Sequence, residues 1–481
     1  MQLIRLTGCA GVAAALAGCA VPDLGPRPEL ATPGTYASGL SLAESPAPPA
    51  AGTWPAAGWW RRYGDPQLDA LIGEATAGAP DIAIAAARVR QAQGAVQSAG
   101  AANQPTLDAD GFAVLNKQSY NNGIPAEFVP KGWNDAGRIA LNAGLDLDLF
   151  GRNRASLVAA TSEAEAARIE GEQARLTLAT DIAARYADLA RLYADQDVLQ
   201  RALAVRNSTE RLVADRVASG LDTQAELKQA RSAVPASRVD LASNAEQIAL
   251  TKNAIAALVG AGPDRALSIT RPAVRVMTAE LPGDAGIGLI GRRPDIAAAR
   301  ARAEAAASRI KVARADFYPD ISLSGLIGLQ SLGLDQLFKG GSSIGNVGPA
   351  ISLPIFRGGA IQGQYRQARG RYDEAVATYD RIVIGALREV ADAVTSRRQV
   401  AVQLADAQES LRDAEGAYHV AQLRYRGGLS TFLNVLSAEQ TVLTARRSLA
   451  AIDARRFALD IQLVRALGGG FQPLNPTSGT R

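Results

Sequence analysis

The sequence predicts a mainly α-helical chain with a β-barrel part, built as two tandem repeats of helix, strand, strand, long helix and helix. Three observations predict it. The chain repeats itself in order, two stretches of roughly 66 residues carry no proline, and four short segments alternate apolar with polar or small residues.

The repeat is legible in its punctuation. Pro80-Asp81-Ile82-Ala83 opens an alanine-rich run that ends at Pro105, and Pro294-Asp295-Ile296-Ala297 opens another that ends at Pro319, each spanning 25 residues. Leu149-Phe150-Gly151-Arg152 is echoed by Ile355-Phe356-Arg357-Gly358, and Arg216 to Leu227 by Arg424 to Val435. In the last pair Gly220 stands opposite Gly428 and Thr223 opposite Thr431. Three matches in one order divide the body into repeat 1, residues 59–285, and repeat 2, residues 286–470, with a tail at 471–481.

The strands are expected at about 106–115 and 138–149 in the first repeat, and at about 320–330 and 344–356 in the second. Ile139, Leu141, Ala143, Leu145 and Leu147 alternate with Arg138, Ala140, Asn142, Gly144 and Asp146. Ile321, Leu323, Gly325 and Ile327, and then Val347, Pro349, Ile351 and Leu353, behave alike. Such lengths cross a bilayer as tilted strands, and one apolar face with one polar or small face suits lipid outside and water inside. A soluble sheet with one wet face would alternate too. Four strands cannot close a membrane barrel, because unpaired edges in hydrocarbon are costly, so several chains must share one. Two chains would give eight strands and three would give twelve; a conduit favours three. The loops 116–135, with Asn121-Asn122-Gly123, and 331–343, with Gly340-Gly341, are expected outside the cell.

Between strands and Gly turns run the long helices, in hairpins expected over 153–260 and 360–467. Uninterrupted, a 66-residue helix is a rod on the order of 100 Å long. The second rod has heptads: Ile361, Tyr365, Ala368, Tyr372, Ala375 and Tyr379, then Val400, Leu404, Ala407 and Leu411. Its phase slips between Glu389 and Gln399. Gly220 and Gly428 suit left-handed helix C-caps at the two hairpin tips.

The N-terminus reads as an export signal over residues 1–18. Arg5 provides a positive region, followed by an apolar run too short to span a bilayer and by Leu16-Ala17-Gly18-Cys19. Small residues before a cysteine resemble the bacterial lipobox, which implies acylation at Cys19, a palmitate-bearing lipoprotein; the alternative is an ordinary signal peptide cleaved near Ala20, with Cys19 incidental. Ala20, not aspartate, follows it, so no inner-membrane retention signal is expected. A proline-rich stretch within 19–58 is expected to be an extended, lipid-anchored tether. Cys9 and Cys19 are the only cysteines and His419 the only histidine, so no disulfide framework, thiolate metal site or Ser–His–Asp triad is expected in the body. A net charge of +4, with both signs interleaved, gives no argument for nucleic acid. No nucleophile or phosphate-binding motif appears, and Gly468-Gly469-Gly470 ends a helix, so neither an enzyme nor a cofactor is expected.

Several segments resemble the TolC-like outer-membrane efflux proteins, in the lipoprotein branch of OprM/NodT type that serves resistance-nodulation-division pumps. They are Trp59 to Ile72 (WWRRYGDPQLDALI), Arg292 to Ser324 with its RRPDI and FYPDISLS segments, Leu353 to Gly359 (LPIFRGG), and the two tips. The resemblance spans about residues 19–468. It implies a homotrimer with a twelve-stranded barrel and an α-helical periplasmic tunnel. It also implies an inner-membrane resistance-nodulation-division pump and a periplasmic adaptor (membrane fusion) protein as partners, with outer-membrane lipid around the barrel. The subunit would be a gated, passive conduit for multidrug or other small-molecule export.

The resemblance also implies site residues. The gate falls on Tyr425, Leu433, Asn434, Ser437 and Glu226. Relatives often carry aspartates where Asn434 and Ser437 stand, so an acidic ring is not expected here and Leu433 is the expected apolar closure. A Glu226–Tyr425 hydrogen bond is the expected lock, while Ser430 replaces a family arginine. Leu433 reads equally as a heptad core residue. Adaptor docking is expected at Ser219, Gly220, Leu221 and Thr223, and at Gly427, Gly428, Leu429, Ser430 and Thr431. Asp108, Asp110, Asp146, Asp148 and Asp320 are candidate acids facing the lumen. The competing readings are an exit duct for type I protein secretion and a lipid-anchored periplasmic coiled-coil scaffold.

Overall fold

The computed structural model describes residues 21–32, 35–38, 41, 53–275, 281–282 and 284–472. The export signal and Cys19 lie outside the described residues. The chain divides into two compact units: residues 1–30, 88–167 and 299–379 in the first, and 31–87, 168–298 and 380–481 in the second. Two helices of 67 residues, α3 (Arg152–Ala218) and α8 (Ala360–Arg426), contribute to both.

The first unit holds one antiparallel sheet, β1 (Thr106–Asn116), β2 (Asn134–Asp146), β3 (Asp320–Leu332) and β4 (Ser343–Ser352), in the order β1-β2-β3-β4. The two repeats therefore join edge to edge, through β2 and β3. Register sorts the side chains into two faces. Ile139 pairs with Gly111 and Leu329, and Leu141 with Ala109 and Ile327. Leu323 pairs with Leu145 and Pro349, and Ile321 with Ile351. This face is apolar or small, and its large residues stand in the open: Leu107, Ile139, Leu141, Ile327, Val347 and Ile351 are all exposed. The other face carries Asp108 opposite Asn142, Arg138 opposite Gln330, and Asp146 opposite Ser322. Aromatics flank the sheet at both ends. Phe128, Trp133 and Phe338 are exposed in the loops, and Phe150 stacks on Tyr318 at 4.8 Å beyond the other end. An apolar band between aromatic girdles is the pattern of a lipid-facing barrel wall.

Two strand boundaries depart from the alternation. β2 starts at Asn134, four residues before the expected start, and stops at Asp146 although the pattern continues to Leu149. The Asp146 carboxylate accepts the Asp148 N–H at 2.8 Å and the Asn153 amide at 2.7 Å, while Asp148 takes φ 45°. Asp148 in turn accepts the Asn153 and Arg154 N–H groups, both at 2.9 Å, and so caps α3. β4 stops at Ser352, short of 356, where Pro354 withdraws a ladder donor.

Within the stretch expected to be a tether, the described residues 21–28 lie along the rod. Val21 and Leu24 pack against Ile310, Ala313, Phe317 and Tyr365. Arg369, itself buried, donates to the Gly25 carbonyl at 3.2 Å and to that of Pro26, and the Tyr372 hydroxyl donates to Pro28 at 2.9 Å. Proline leaves carbonyls free of intrachain partners, and the rod supplies the donors.

The second unit is built around Trp59 to Ile72. A 3-10 helix (Trp59–Tyr63) leads into α1 (Pro66–Gly78), whose N-cap Asp65 accepts the Gln67 N–H at 2.9 Å. α2 (Pro80–Ala101) follows. The window Pro66–Ala101 is long and apolar enough to cross a membrane, but Ala79, at ψ 141°, breaks it into two helices. Tyr63, Leu68, Leu71 and Ile72 pack on Ile182, Tyr186 and Leu189 of α3, Ile255 and Val259 of α4 (Gln224–Val259), and Phe457 and Val464 of α9 (Phe432–Ala466). The Tyr186 hydroxyl donates to Asp65 at 2.7 Å.

Two short helices, α5 (Asp264–Leu267) and α6 (Ala285–Arg292), lead to α7 (Pro294–Ala315). Between α6 and α7, Arg293 of the RRPDI segment is buried. It donates to Asp295 at 2.6 and 3.0 Å, to Glu389 of α8 at 2.7 Å, and to the Ala466 carbonyl at the end of α9 at 3.0 Å. The heptad slip of α8, expected between Glu389 and Gln399, shows in its burial. Ala386, Val390 and Val394 are buried in two successive steps of four, beside the Arg293 contact.

Candidate functional site: the paired hairpin tips

Each hairpin turns on the same backbone device. At the first tip, Gly220 takes φ 74°, its N–H bonds to the Val217 carbonyl at 3.0 Å, and the Leu221 N–H bonds to Arg216 at 2.8 Å. At the second, Gly428 takes φ 73°, its N–H bonds to Tyr425 at 3.0 Å, and the Leu429 N–H bonds to Arg424 at 2.7 Å. These are Schellman closures, which need a residue at ease with positive φ. Both leave an isolated leucine in the open: Leu221 is 64% and Leu429 73% exposed. Ser219, Thr223, Gly427 and Thr431 are exposed around them, while Ser430 is partly covered and its hydroxyl meets no partner.

Side chains join the hairpins just inside the turns. Val213, Leu227 and Ala230 of the first hairpin pack with Tyr425, Phe432 and Val435 of the second. Tyr425 is almost fully buried, 5.9 Å from the Phe432 ring. Its hydroxyl donates to the Asp222 carboxylate. Arg216 holds the same carboxylate in a two-pronged pair, 2.9 and 3.3 Å, and lies over the Tyr425 ring at 4.5 Å. Burial pushes the Asp222 carboxyl up, but the Arg216 guanidinium and the Tyr425 hydroxyl outweigh it and hold it below the ordinary aspartate value. Burial and the facing carboxylate push the Tyr425 phenol up, so it stays a donor.

The carboxylate paired with Tyr425 is therefore Asp222, not Glu226. Glu226 closes a capping box: the Thr223 N–H and hydroxyl both donate to it at 2.6 Å. Sequence reasoning missed Asp222 and Phe432. The signal for Asp222 was present, because a Schellman turn at Gly220 brings residues 216 and 222 together, an arginine and an aspartate. In the second repeat Arg424 and Ser430 occupy those places, so only one hairpin carries the acid.

Leu433, Asn434 and Ser437 are exposed on the opposite side of α9 from this cluster. Within the chain Leu433 is not a core residue: Phe432 and Val435 take that role, and Leu433 is 63% exposed. It lines an open groove of about 750 Å³ with Leu436, Ser437, Gln440, Thr441 and Thr444. Of the acids expected in the barrel, Asp110 pairs with Asn142 and Arg138, Asp146 and Asp148 are spent on the α3 cap, and Asp108 and Asp320 stay exposed. Among the described residues, no group of three or more His, Cys, Asp or Glu could hold a metal ion.

The chain as a whole matches known proteins. The family model described as outer membrane efflux protein matches residues 71–261 and 289–469. The multidrug resistance outer membrane protein MdtP of Escherichia coli (strain K12) is 30% identical over 485 residues, 98% of each chain. The cation efflux system protein CusC of the same strain is 28% identical over 95% of this chain and 98% of its own. The crystal structure of the outer membrane protein VceC from Vibrio cholerae is 46% identical, with a TM-score of 0.82, covering 87% of this chain and all of that one. The chain belongs to the outer membrane efflux protein family: it is a TolC-like channel subunit for efflux, seated in the outer membrane.

Proposed function

We propose that three copies form one passive, gated conduit that exports small organic molecules. One observation carries this reading. The sheet has a fully exposed first strand, β1, and neither β1 nor β4 has a second neighbour among the described residues. Unpaired edges cannot stand in hydrocarbon, so neighbouring copies must satisfy them. Three copies give about twelve strands, enough to leave a water-filled lumen on the Asp108–Asn142 face. MdtP's name supports multidrug substrates, and Asn434 and Ser437 offer no acid to retain cations at the tip.

The subunit itself does no chemistry. Acylation at Cys19 would anchor it, an inner-membrane resistance-nodulation-division pump would supply the energy, and a periplasmic adaptor would meet the exposed tips around Leu221 and Leu429. The Tyr425–Asp222–Arg216 tie keeps the tip shut, with Leu433 lining the aperture. The test is planar-bilayer recording on heat-modifiable trimers, together with drug susceptibility of a deletion strain. Trimers with a low closed conductance, and a strain sensitised to several unrelated drugs, are expected. Monomers without conductance would overturn the conduit.

A further inference from the structure

Above the tip lies a second polar contact between the hairpins, and it is built differently. Arg206 of α3 donates through Nε to Glu439 of α9 at 3.1 Å, and through Nη1 to the Ser237 hydroxyl of α4 at 2.6 Å and the Ala233 carbonyl at 3.3 Å. The Glu439 side chain is only 5% exposed and the Arg206 side chain 15%. Ser237 is buried and itself donates to Ala233 at 3.1 Å. Pro235 sits between the two α4 contacts and contributes no N–H to the helix, so Arg206 braces α4 where its ladder is one bond short.

The other ion pairs between the hairpins are weaker in kind. Arg447–Asp240 at 3.5 Å and Arg465–Asp181 at 3.3 Å are each about half exposed, so water competes for both partners. Separating Arg206 from Glu439 would strand two charges in the protein interior. The tip tie is no more exposed, with the Arg216 and Asp222 side chains at 13% and 9%, but it stands at the free end of the hairpins, where a swing about Arg206–Glu439 displaces it most. A motion that opens the tip thus costs least if it leaves Arg206–Glu439 closed. From Glu439 to Phe432 is seven residues of α9, an arm of about 10 Å carrying Val435, Leu433 and Asn434.

We propose that the Arg206–Glu439 pair is the fulcrum of the gate. Arg206 and Glu439 act as positioning residues. They fix α9 to α3 and α4 while the segment from Phe432 to Glu439 swings with the end of α8, and they set which α9 face meets the aperture. The inference rests on the reading of the tips as a gate, and goes beyond it by saying where the moving part begins.

Cross-linking in cells tests it. Cysteines are placed at 206 and 439 in one strain and at 222 and 425 in another. Each pair is joined by a short bifunctional methanethiosulfonate, and dye export is followed before and after reduction. Linking 206 to 439 is expected to leave export intact, while linking 222 to 425 abolishes it until reductant is added. Export blocked by the 206–439 link overturns the fulcrum alone. Export unaffected by the 222–425 link overturns the gate reading beneath it. Conductance of full trimers covers the case in which the cysteine variant fails to fold. Glu439→Gln is expected to raise closed-state leak about tenfold, and Arg206→Glu with Glu439→Arg to restore the wild-type level. Failure of the swapped pair to restore it overturns the proposal.

Discussion

Asp222 accepts from two donors on two different hairpins, so its charge state governs the contact that joins them. Its carboxyl is held below the ordinary 3.8, hence the tie contributes in full above that value and is lost as pH falls through the lower folded value. Closed-state conductance should therefore be flat from neutral pH down to about 4 and rise only in stronger acid, as bilayer recording across that range would show. Asp222→Asn and Tyr425→Phe should each raise the leak at neutral pH, whereas Glu226→Gln should loosen the start of α4 and leave conductance unchanged. A leak in Glu226→Gln equal to that of Tyr425→Phe would return the lock to Glu226. At Gly220 and Gly428 the positive φ makes any β-carbon costly, ~1–2 kcal/mol in a left-handed conformation. Valine at either should abolish drug export while heat-modifiable trimers still form on gels.

At the scale of elements, what the sequence made legible depended on whether a signal was periodic or paired. Long helices, Gly turns and strand alternation are periodic, so their existence could be read directly. The end of β2 could not, because the competing cap from Asp146 and Asp148 onto α3 lies in hydrogen bonds to residues five or more positions away. The Tyr425 contact, proposed as a lock, was half legible: the family resemblance named Tyr425, but its partner depended on which of two acids, Asp222 or Glu226, the capping box would claim. The RRPDI segment was read as a repeat boundary and a family mark, yet Arg293 ties α7, α8 and α9 at the stutter in α8. Arg293→Ala should leave the Ala466 carbonyl and Glu389 without that donor and cost about 2–4 kcal/mol, seen as faster proteolysis of detergent-solubilised trimers. The N-terminal strap gives a contrasting expectation. Arg369→Ala should expose residues 21–32 to protease and leave single-channel conductance unaltered, since the strap packs on the rod rather than in the sheet.

For the whole molecule, residues that look misplaced in one chain are those that must meet something else. Leu107, Ile327, Val347 and Ile351 stand open on the sheet, and Leu433 stands open at the tip. A lysine at Ile327, near mid-strand on the apolar face, should cost ~2–4 kcal/mol in lipid and reduce the yield of heat-modifiable trimers. The same lysine at Asn346, on the polar face, should leave trimers intact and shift ion selectivity towards anions, measured as a reversal potential.

The two unfinished edges of the sheet also have a genetic consequence. If each barrel takes one β1–β4 set from every copy, defective and normal chains are dealt at random into the same pores. With equal expression, only roughly one trimer in eight would be free of the defective copy. A chain whose tip is locked but whose sheet is sound should therefore poison export when co-expressed with the normal one. A chain with a broken sheet should be silent, because it never enters the barrel.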